Sequence, residues 1–262
     1  MVDISLLRLP LFVPADRPER FEKAAASGAD SVILDLEDAV AAANKAAARG
    51  ALRTDFTQLP VLVRINAHST SWHDDDVATV SKLPIAAVIL PNADLPDVIE
   101  SVSSKVGAPI IPLIESARGF ANARSIAAAS GVVRLAFGSI DFCADLGCEH
   151  LRDVLLPIRL ELVLASRLAG ISGPIDGVTV QLDDLAVSRD DALHARSIGM
   201  TGKLCIHPKQ VAAVRSGFAP SKREKDWARR VLASGDGAIS VDGNMVDEPV
   251  RIRARAILAL AL

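Results

Sequence analysis

The sequence predicts a single (β/α)₈ TIM barrel with a C-terminal helical extension, and three observations point there. Eight short apolar runs rich in β-branched residues alternate with Ala-rich, helix-forming stretches. The runs are almost continuously apolar rather than alternating, as expected for parallel strands covered on both faces. Eight strand–helix units need ~250 residues, and the chain has 262. An open doubly wound sheet would carry a Gly-rich first strand-to-helix turn. Here that turn reads Pro14-Ala15-Asp16-Arg17-Pro18, without glycine.

The strands are expected at Leu9–Val13, Ser31–Leu36, Val61–Ile65, Ala87–Leu90, Ile110–Ile114, Val133–Phe137, Val178–Val180 and Gly202–Cys205. Helices are expected between them at Pro18–Ser27, Ala41–Thr54, Leu95–Ser103, Ala117–Ala129, Leu151–Leu168 and Asp183–Ile198, and after the eighth strand at Lys209–Ser216. Beyond these come a helix at Lys222–Ala233, a Gly/Asp-rich link at 234–244 and a last helix from Pro249. The expected organisation is a catalytic barrel over residues 1–218 and an extension over 219–262 that packs at a subunit interface. No composition shift, internal repeat or low-complexity tract interrupts the chain.

Composition excludes several function classes. Half of the residues are apolar, net charge is −3, aromatics make up 3% and Tyr is absent. That balance offers neither the basic footprint nor the stacking platforms of a nucleic-acid binder. No apolar run is long enough to span a bilayer, and the first residues lack the form of a signal peptide. Three cysteines without a repeating spacing suit a reducing compartment. A soluble, cytoplasmic protein is expected.

In such barrels functional groups gather where the strands end, because the βα loops converge there. The second strand ends in Asp35-Leu36-Glu37-Asp38, the third in Arg64-Ile65-Asn66, the fifth in Glu115-Ser116 and the sixth in Gly138-Ser139-Ile140-Asp141. Glu115 and Asp141, on adjacent strand ends, suit Mg²⁺, which takes one or two carboxylates and keeps waters for the substrate to replace. Equally, both acids could cap helix N-termini. Arg64 either forks onto a substrate carboxylate or pairs with Asp35, Glu37 or Asp38. Most of that acidic cluster is expected to pair with Arg49, Lys45 or Arg64. Gly138 lets backbone approach a ligand closely. Cys143, Cys148 and His150 lack the spacing of a zinc site. The run His73-Asp74-Asp75-Asp76 opens a helix, where acids complement the dipole. His207 is a base or a hydrogen-bonded structural histidine.

These segments resemble the citrate lyase β-subunit-like branch of the HpcH/HpaI aldolase family, in the phosphoenolpyruvate/pyruvate barrel superfamily. The resemblance is carried by Leu11-Phe12-Val13-Pro14, Gly28-Ala29-Asp30, Asp35-Leu36-Glu37-Asp38-Ala39-Val40, Val63-Arg64-Ile65-Asn66 and Leu113-Ile114-Glu115-Ser116. It continues through Gly138-Ser139-Ile140-Asp141-Phe142, Gly202-Lys203, Ile206-His207-Pro208-Lys209-Gln210 and Asp242-Gly243-Asn244-Met245-Val246-Asp247.

The resemblance implies a Mg²⁺-dependent carbon–carbon lyase acting on an acyl-CoA such as malyl-, citramalyl- or citryl-CoA. It implies Glu115 and Asp141 as metal ligands and Arg64 at the oxo acid. Arg8, Gly138 and Ser139 would assist substrate binding. Asp247 would be a catalytic group reaching a neighbouring subunit of a homo-oligomer, a trimer or hexamer. Ala15 and Leu9-Pro10 depart from the family's usual residues in and before the first loop. A thioesterase or synthase on the same site is the first alternative, and a non-catalytic metabolite-binding or assembly partner the second.

Overall fold

A computed structural model describes residues 3–235 and 237–260. The outer ends of the two expected segments, residues 1–2 and 261–262, and residue 236 in the link lie outside the described residues. Eight parallel strands run in sequence order: β1 (Pro10–Pro14), β2 (Ser31–Asp35), β3 (Val61–Arg64), β4 (Ala87–Leu90), β5 (Ile110–Ile114), β6 (Arg134–Phe137), β7 (Ser172–Asp176) and β8 (Gly202–Lys203). The ring closes between Leu11 and Cys205. There Phe12 N–H donates to the Cys205 carbonyl and Cys205 N–H to that of Pro10, both at 2.9 Å.

Around the ring lie α1 (Phe21–Ala25), α2 (Lys45–Gly50), α3 (His73–Val80), α4 (Pro96–Val106), α5 (Ala117–Ala121), α6 (Ala123–Ala127), α7 (Ser139–Leu146), α8 (Arg152–Leu168), α9 (Leu185–Ser197) and α10 (Pro208–Phe218). After them α11 (Lys222–Ala233), a hairpin of β9 (Ile239–Val241) and β10 (Asn244–Val246), and α12 (Glu248–Ala259) share a small core of Ala228, Val231, Val246, Ala254 and Ile257.

The continuous apolar runs split by parity into two cores. Ile33, Leu62, Ile89, Ile111, Leu113, Ala136 and Ile175 fill the barrel interior. Their neighbours, including Val32, Leu34, Val63, Val88, Leu90, Ile110, Ile114 and Leu135, meet the helices outside. Successive strand residues face opposite sides, so the residue two positions after an inner one, at the end of the strand, points into the mouth. Asp35, Arg64, Glu115 and Gly138 all hold that position.

Four expectations are corrected. The seventh strand is Ser172–Asp176 and not Val178–Val180, which lie in the loop beyond it. Ser-Gly-Pro reads locally as a turn, but the barrel needs small residues there. A side chain at Gly173 would meet the Gly199 carbonyl at 2.9 Å and the Thr201 methyl at 2.7 Å. The helix expected over Ala117–Ala129 is broken at Asn122, and the link at 234–244 holds the β9–β10 hairpin instead of staying irregular. Finally, Asp141, expected at the end of the sixth strand, belongs to the first turn of α7.

The opposite end of the barrel is clasped by Arg134, a fully buried side chain. Its Nε donates to the Gly173 carbonyl at 2.8 Å, its Nη2 to Thr201 Oγ1 at 2.5 Å, and its Nη1 to the Leu7 carbonyl. Burial pushes this guanidinium down to about 10. Arg8 lies at this same end, before β1, where its N–H donates to Asp30 Oδ2 at 2.6 Å and its carbonyl accepts from Lys203 N–H at 2.9 Å. Among the described residues no helix is long and apolar enough to cross a membrane.

Candidate active site at the barrel mouth

Arg64 is the organising cation of the mouth. Its Nε donates to Asp35 Oδ1 and its Nη2 to Asp35 Oδ2, both at 2.7 Å, in the bidentate fork that suits a planar guanidinium. Nη1 lies 2.8 Å from Glu37 Oε2 and 3.4 Å from Asp38 Oδ2, and the guanidinium stacks 4.8 Å from the centre of the Phe12 ring. Burial works against its charge, but Asp35, Glu37 and Asp38 outweigh that and hold it above the ordinary arginine range. The salt-bridge reading of Arg64 is therefore realised. One Nη2 N–H and the long Nη1 contact remain for a ligand.

Glu115 is 4% exposed at the end of β5. Its Oε1 accepts the Asn92 N–H at 2.7 Å, whereas Oε2 is buried with no hydrogen-bond partner. Burial, reinforced by Asp141 and Asp38 and opposed by the Asn92 N–H and Arg64, pushes this carboxyl up to about 8. Gly138 is what admits it, because a Cβ there would stand 2.5 Å from both Glu115 Cβ and Oε2. Asp141, exposed on α7, also lies above the ordinary carboxylate range, through desolvation and the Asp38 charge. Burial raises Glu37 further, to about 9, against the pull of Arg64.

Five carboxylates thus face one guanidinium. Among the described residues no three His, Cys, Asp or Glu groups converge into a ready-made metal cluster. Two carboxylates, one carrying a buried oxygen without a partner, fit a hard cation that keeps waters and completes its shell with substrate. Glu115 and Asp141 would hold such an ion.

A buried polar frame supports the cluster. Lys45 Nζ donates to the Leu36 and Glu37 carbonyls and to Asn66 Oδ1 at 2.7–2.8 Å, which sets the backbone from which Glu37 projects. Asp76, fully buried, accepts from Asn66 N–H and Nδ2 and pairs with Arg49 at 2.7 Å. The acidic run His73–Asp76 opens α3 as expected, with one of its acids turned inward. Lys45 and Arg49 hold this frame and do not bond the carboxylates of Asp35, Glu37 or Asp38.

Other expected residues are placed elsewhere. Arg8 sits at the far end of the barrel and does not join the mouth of its own chain. Ser139 is buried, and its hydroxyl meets His150 Nε2 at 2.9 Å on the β7 side, against Gly177. Asp247 caps α12, accepting the Val250 N–H at 3.3 Å, and bonds neither Glu115, Asp141 nor Arg64. His207 caps α10: its Nδ1 accepts the Lys209 N–H at 3.1 Å. Cys143, Cys148 and Cys205 are free thiols. Sequence reasoning passed over Asn92, which has a positive φ of 46° and aims its N–H at Glu115. The Pro91-Asn92 pair was the available signal, since asparagine tolerates this left-handed conformation.

The sequence profile of the HpcH/HpaI aldolase/citrate lyase family matches residues 8–208. A citrate lyase subunit beta-like protein of Mycobacterium tuberculosis is 39% identical over 96% of this chain and 94% of its own. A (3S)-malyl-CoA thioesterase of Cereibacter sphaeroides is 32% identical over 97% of this chain and 94% of its own. The crystal structure of M. tuberculosis CitE with magnesium, acetoacetate and coenzyme A superposes with a TM-score of 0.90 at 38% identity, covering 98% of this chain and 99% of that one.

Proposed function

The chain belongs to the HpcH/HpaI aldolase/citrate lyase family, and on that premise we propose that it is a Mg²⁺-dependent carbon–carbon lyase. Its substrate is a 3-hydroxyacyl-CoA of the malyl, citramalyl or citryl kind, cleaved to acetyl-CoA and an oxo acid. The observation that carries this reading is the buried, unpartnered Oε2 of Glu115, on a strand that lies in the ring between the strand of Arg64 and the one that leads into the helix of Asp141. The M. tuberculosis structure with magnesium and coenzyme A supports both the ion and the carrier.

Mg²⁺ held by Glu115 and Asp141 would polarise the substrate's hydroxyl and carboxylate oxygens and lower the cost of the alkoxide. The remaining work falls to side chains. Arg64, locked by Asp35, presents its spare Nη2 N–H to the carboxylate that becomes the oxo acid and stabilises charge where it develops. Asn92 N–H holds one oxygen of Glu115, so only the other is left for the ion. Gly138 keeps the space beside it open. Phe12, Arg20, Lys23 and His207 line a cavity of about 340 Å³ between β1 and the start of α10, where basic groups suit the carrier's phosphates.

A base must take the hydroxyl proton, and the enolate of the leaving acetyl thioester must gain one. Asp247 is proposed for this proton transfer at the mouth of a neighbouring copy in a homo-oligomer, a trimer or hexamer, because in its own chain it caps α12 away from the cluster. Asn is as good a helix cap as Asp. Asp247→Asn should therefore leave the fold and Mg²⁺ affinity intact while lowering turnover about 10²-fold or more. Metal titration alongside kcat tests this, and wild-type turnover in the variant removes Asp247 from the reaction.

The reaction itself is tested by mass spectrometry of malyl-, citramalyl- and citryl-CoA incubated with Mg²⁺ or with EDTA. Acetyl-CoA and an oxo acid, appearing only with Mg²⁺, are the expected products. Free CoA with an intact hydroxy acid would replace the lyase by a thioesterase, the activity named for the C. sphaeroides relative.

A further inference from the structure

Two of the chain's three cysteines meet at the end of the helix that carries Asp141. α7 stops at Gly147, whose φ of 69° is the left-handed conformation that glycine adopts freely. Its N–H donates to the Cys143 carbonyl, and the Cys148 N–H donates to the same carbonyl at 3.0 Å. The second bond is the six-to-one closure of a chain that folds back over its last helical turn, an arrangement in which the side chains at the two ends of the closure touch. Here both ends are thiols. Any apolar pair would complete the helix end; a pair of thiols adds one chemistry, two-electron oxidation.

The geometry suits a disulfide. With 3.0 Å between the Cys148 nitrogen and the Cys143 carbonyl oxygen, covalent geometry keeps the two Cα atoms within about 7 Å, the limit for a bridge without backbone rearrangement. Cys143 is 7% exposed and packed in the outer core, where its neighbour Phe142 is set edge-on against Phe120 and Phe137. Cys148 is half-buried between the exposed Gly147 and Glu149. One thiol is thus anchored, and the other is reachable from solvent. Two residues on, His150 Nε2 meets Ser139 Oγ at 2.9 Å. The segment after α7 therefore straps the helix at both ends, with Cys148 on its last turn and His150 on its first residue.

We propose that Cys143 and Cys148 are a redox modification site, oxidised to a disulfide by a hydroperoxide, and that the bridge releases His150 from Ser139. Cys148, having lost its proton to solvent, attacks the outer peroxide oxygen. The S–O bond forms, the O–O bond breaks, and an alcohol, or water from hydrogen peroxide, leaves. Cys143 then attacks the sulfur of this sulfenic acid: the S–S bond forms, the S–O bond breaks and water carries off the Cys143 proton. The two sulfurs lose two electrons and the peroxide gains them. A reduced dithiol reverses the step by exchange.

A bridge of about 2.05 Å is far shorter than any contact between two thiols. The core holds Cys143, so Cys148 makes the movement and His150 goes with it. Ser139 stands between Gly138 and Asp141 where α7 begins, so the bridge is felt at the mouth.

Hydrogen peroxide acting on the full chain tests this. After oxidation, denaturation and alkylation, three reactive thiols should fall to one, the fully buried Cys205. Peptide mass spectrometry should find Cys143 joined to Cys148 with the loss of two hydrogens, and a dithiol should restore all three thiols. In NMR the ring signals of His150, identified by their loss in His150→Gln, should shift on oxidation and return on reduction. Cys148→Ser should lose both responses while keeping the wild-type circular dichroism spectrum. Gly147→Ala disfavours the left-handed turn and should slow bridging several-fold, which keeps the test decisive if the serine variant misfolds. Sulfinic acid at Cys148, a bridge between chains or to Cys205, unmoved His150 signals in the bridged protein, or equal bridging rates in Gly147→Ala and wild type would each overturn the proposal. None of these readouts depends on the substrate.

Discussion

Glu115→Gln is expected to abolish Mg²⁺ binding and, with it, Mg²⁺-dependent turnover, while leaving the barrel folded. Gln nearly matches the volume that Gly138 leaves open and still accepts the Asn92 N–H, but it supplies no anion. The same variant should change the pH dependence of stability. In the metal-free protein the Glu115 carboxyl is raised from its ordinary 4.5 to about 8. Between those values the folded state holds a proton that the unfolded state has released. This contribution is thus fully present below the ordinary value and is lost as pH rises toward about 8. Glu37, raised to about 9, acts in the same sense.

Metal-free wild type should therefore weaken from about pH 5 to about pH 9, and Mg²⁺ should bind more tightly over the same window because binding expels the proton. Glu115→Gln removes the Glu115 share of that slope and keeps the share of Glu37. Urea unfolding at several pH values, with and without Mg²⁺, reads both effects. Equal Mg²⁺ affinity in variant and wild type would defeat the ligand assignment.

Arg64→Ala is expected to damage stability and turnover together. Removing the guanidinium leaves Asp35, 1% exposed, as a buried charge without its partner, a loss of about 3–5 kcal/mol. Turnover should fall at least about 10²-fold, because the mouth loses the guanidinium aimed at developing charge. The two effects separate in the double variant Arg64→Met, Asp35→Asn. It leaves no unpaired buried charge at position 35 and keeps an acceptor for the Glu37 and Ala39 N–H groups, which donate to Asp35 at 2.9 and 3.2 Å, so urea midpoints should recover while turnover stays lost. If turnover recovers with stability, Arg64 serves only the fold.

How far the site was legible follows from parity. Asp35, Arg64, Glu115 and Gly138 each stand two residues beyond an apolar inner residue, at the end of a strand recognisable by its own apolar run. Their convergence follows from strand geometry once eight parallel strands are in place. Arg8 failed the same logic: it precedes its strand, so the chain delivers it to the opposite end. Asp247 stands outside the barrel repeat, where no strand parity directs it.

The seventh strand was hidden because its residues answer to neighbours distant in sequence. Gly173 is required by Gly199 and Thr201, and β8 pairs Gly202 with Ile175 and Lys203 with Asp176. Local propensity favoured Val178–Val180, and the register imposed by the closing ring overrode it.

By itself the sequence determined the barrel, the order of its strands and the acids and arginine at their ends, because apolar periodicity and strand direction are local properties. Only the tertiary structure decided what those groups are free to do. It committed two donors of Arg64 to Asp35, left one oxygen of Glu115 without a partner, and turned Asn92 to hold the other. It also clasped the far end with Arg134 and folded Cys148 back onto Cys143. Each of these depends on residues from separate strands and loops meeting within a few ångströms, and burial then raises the cost of every charge left unpaired.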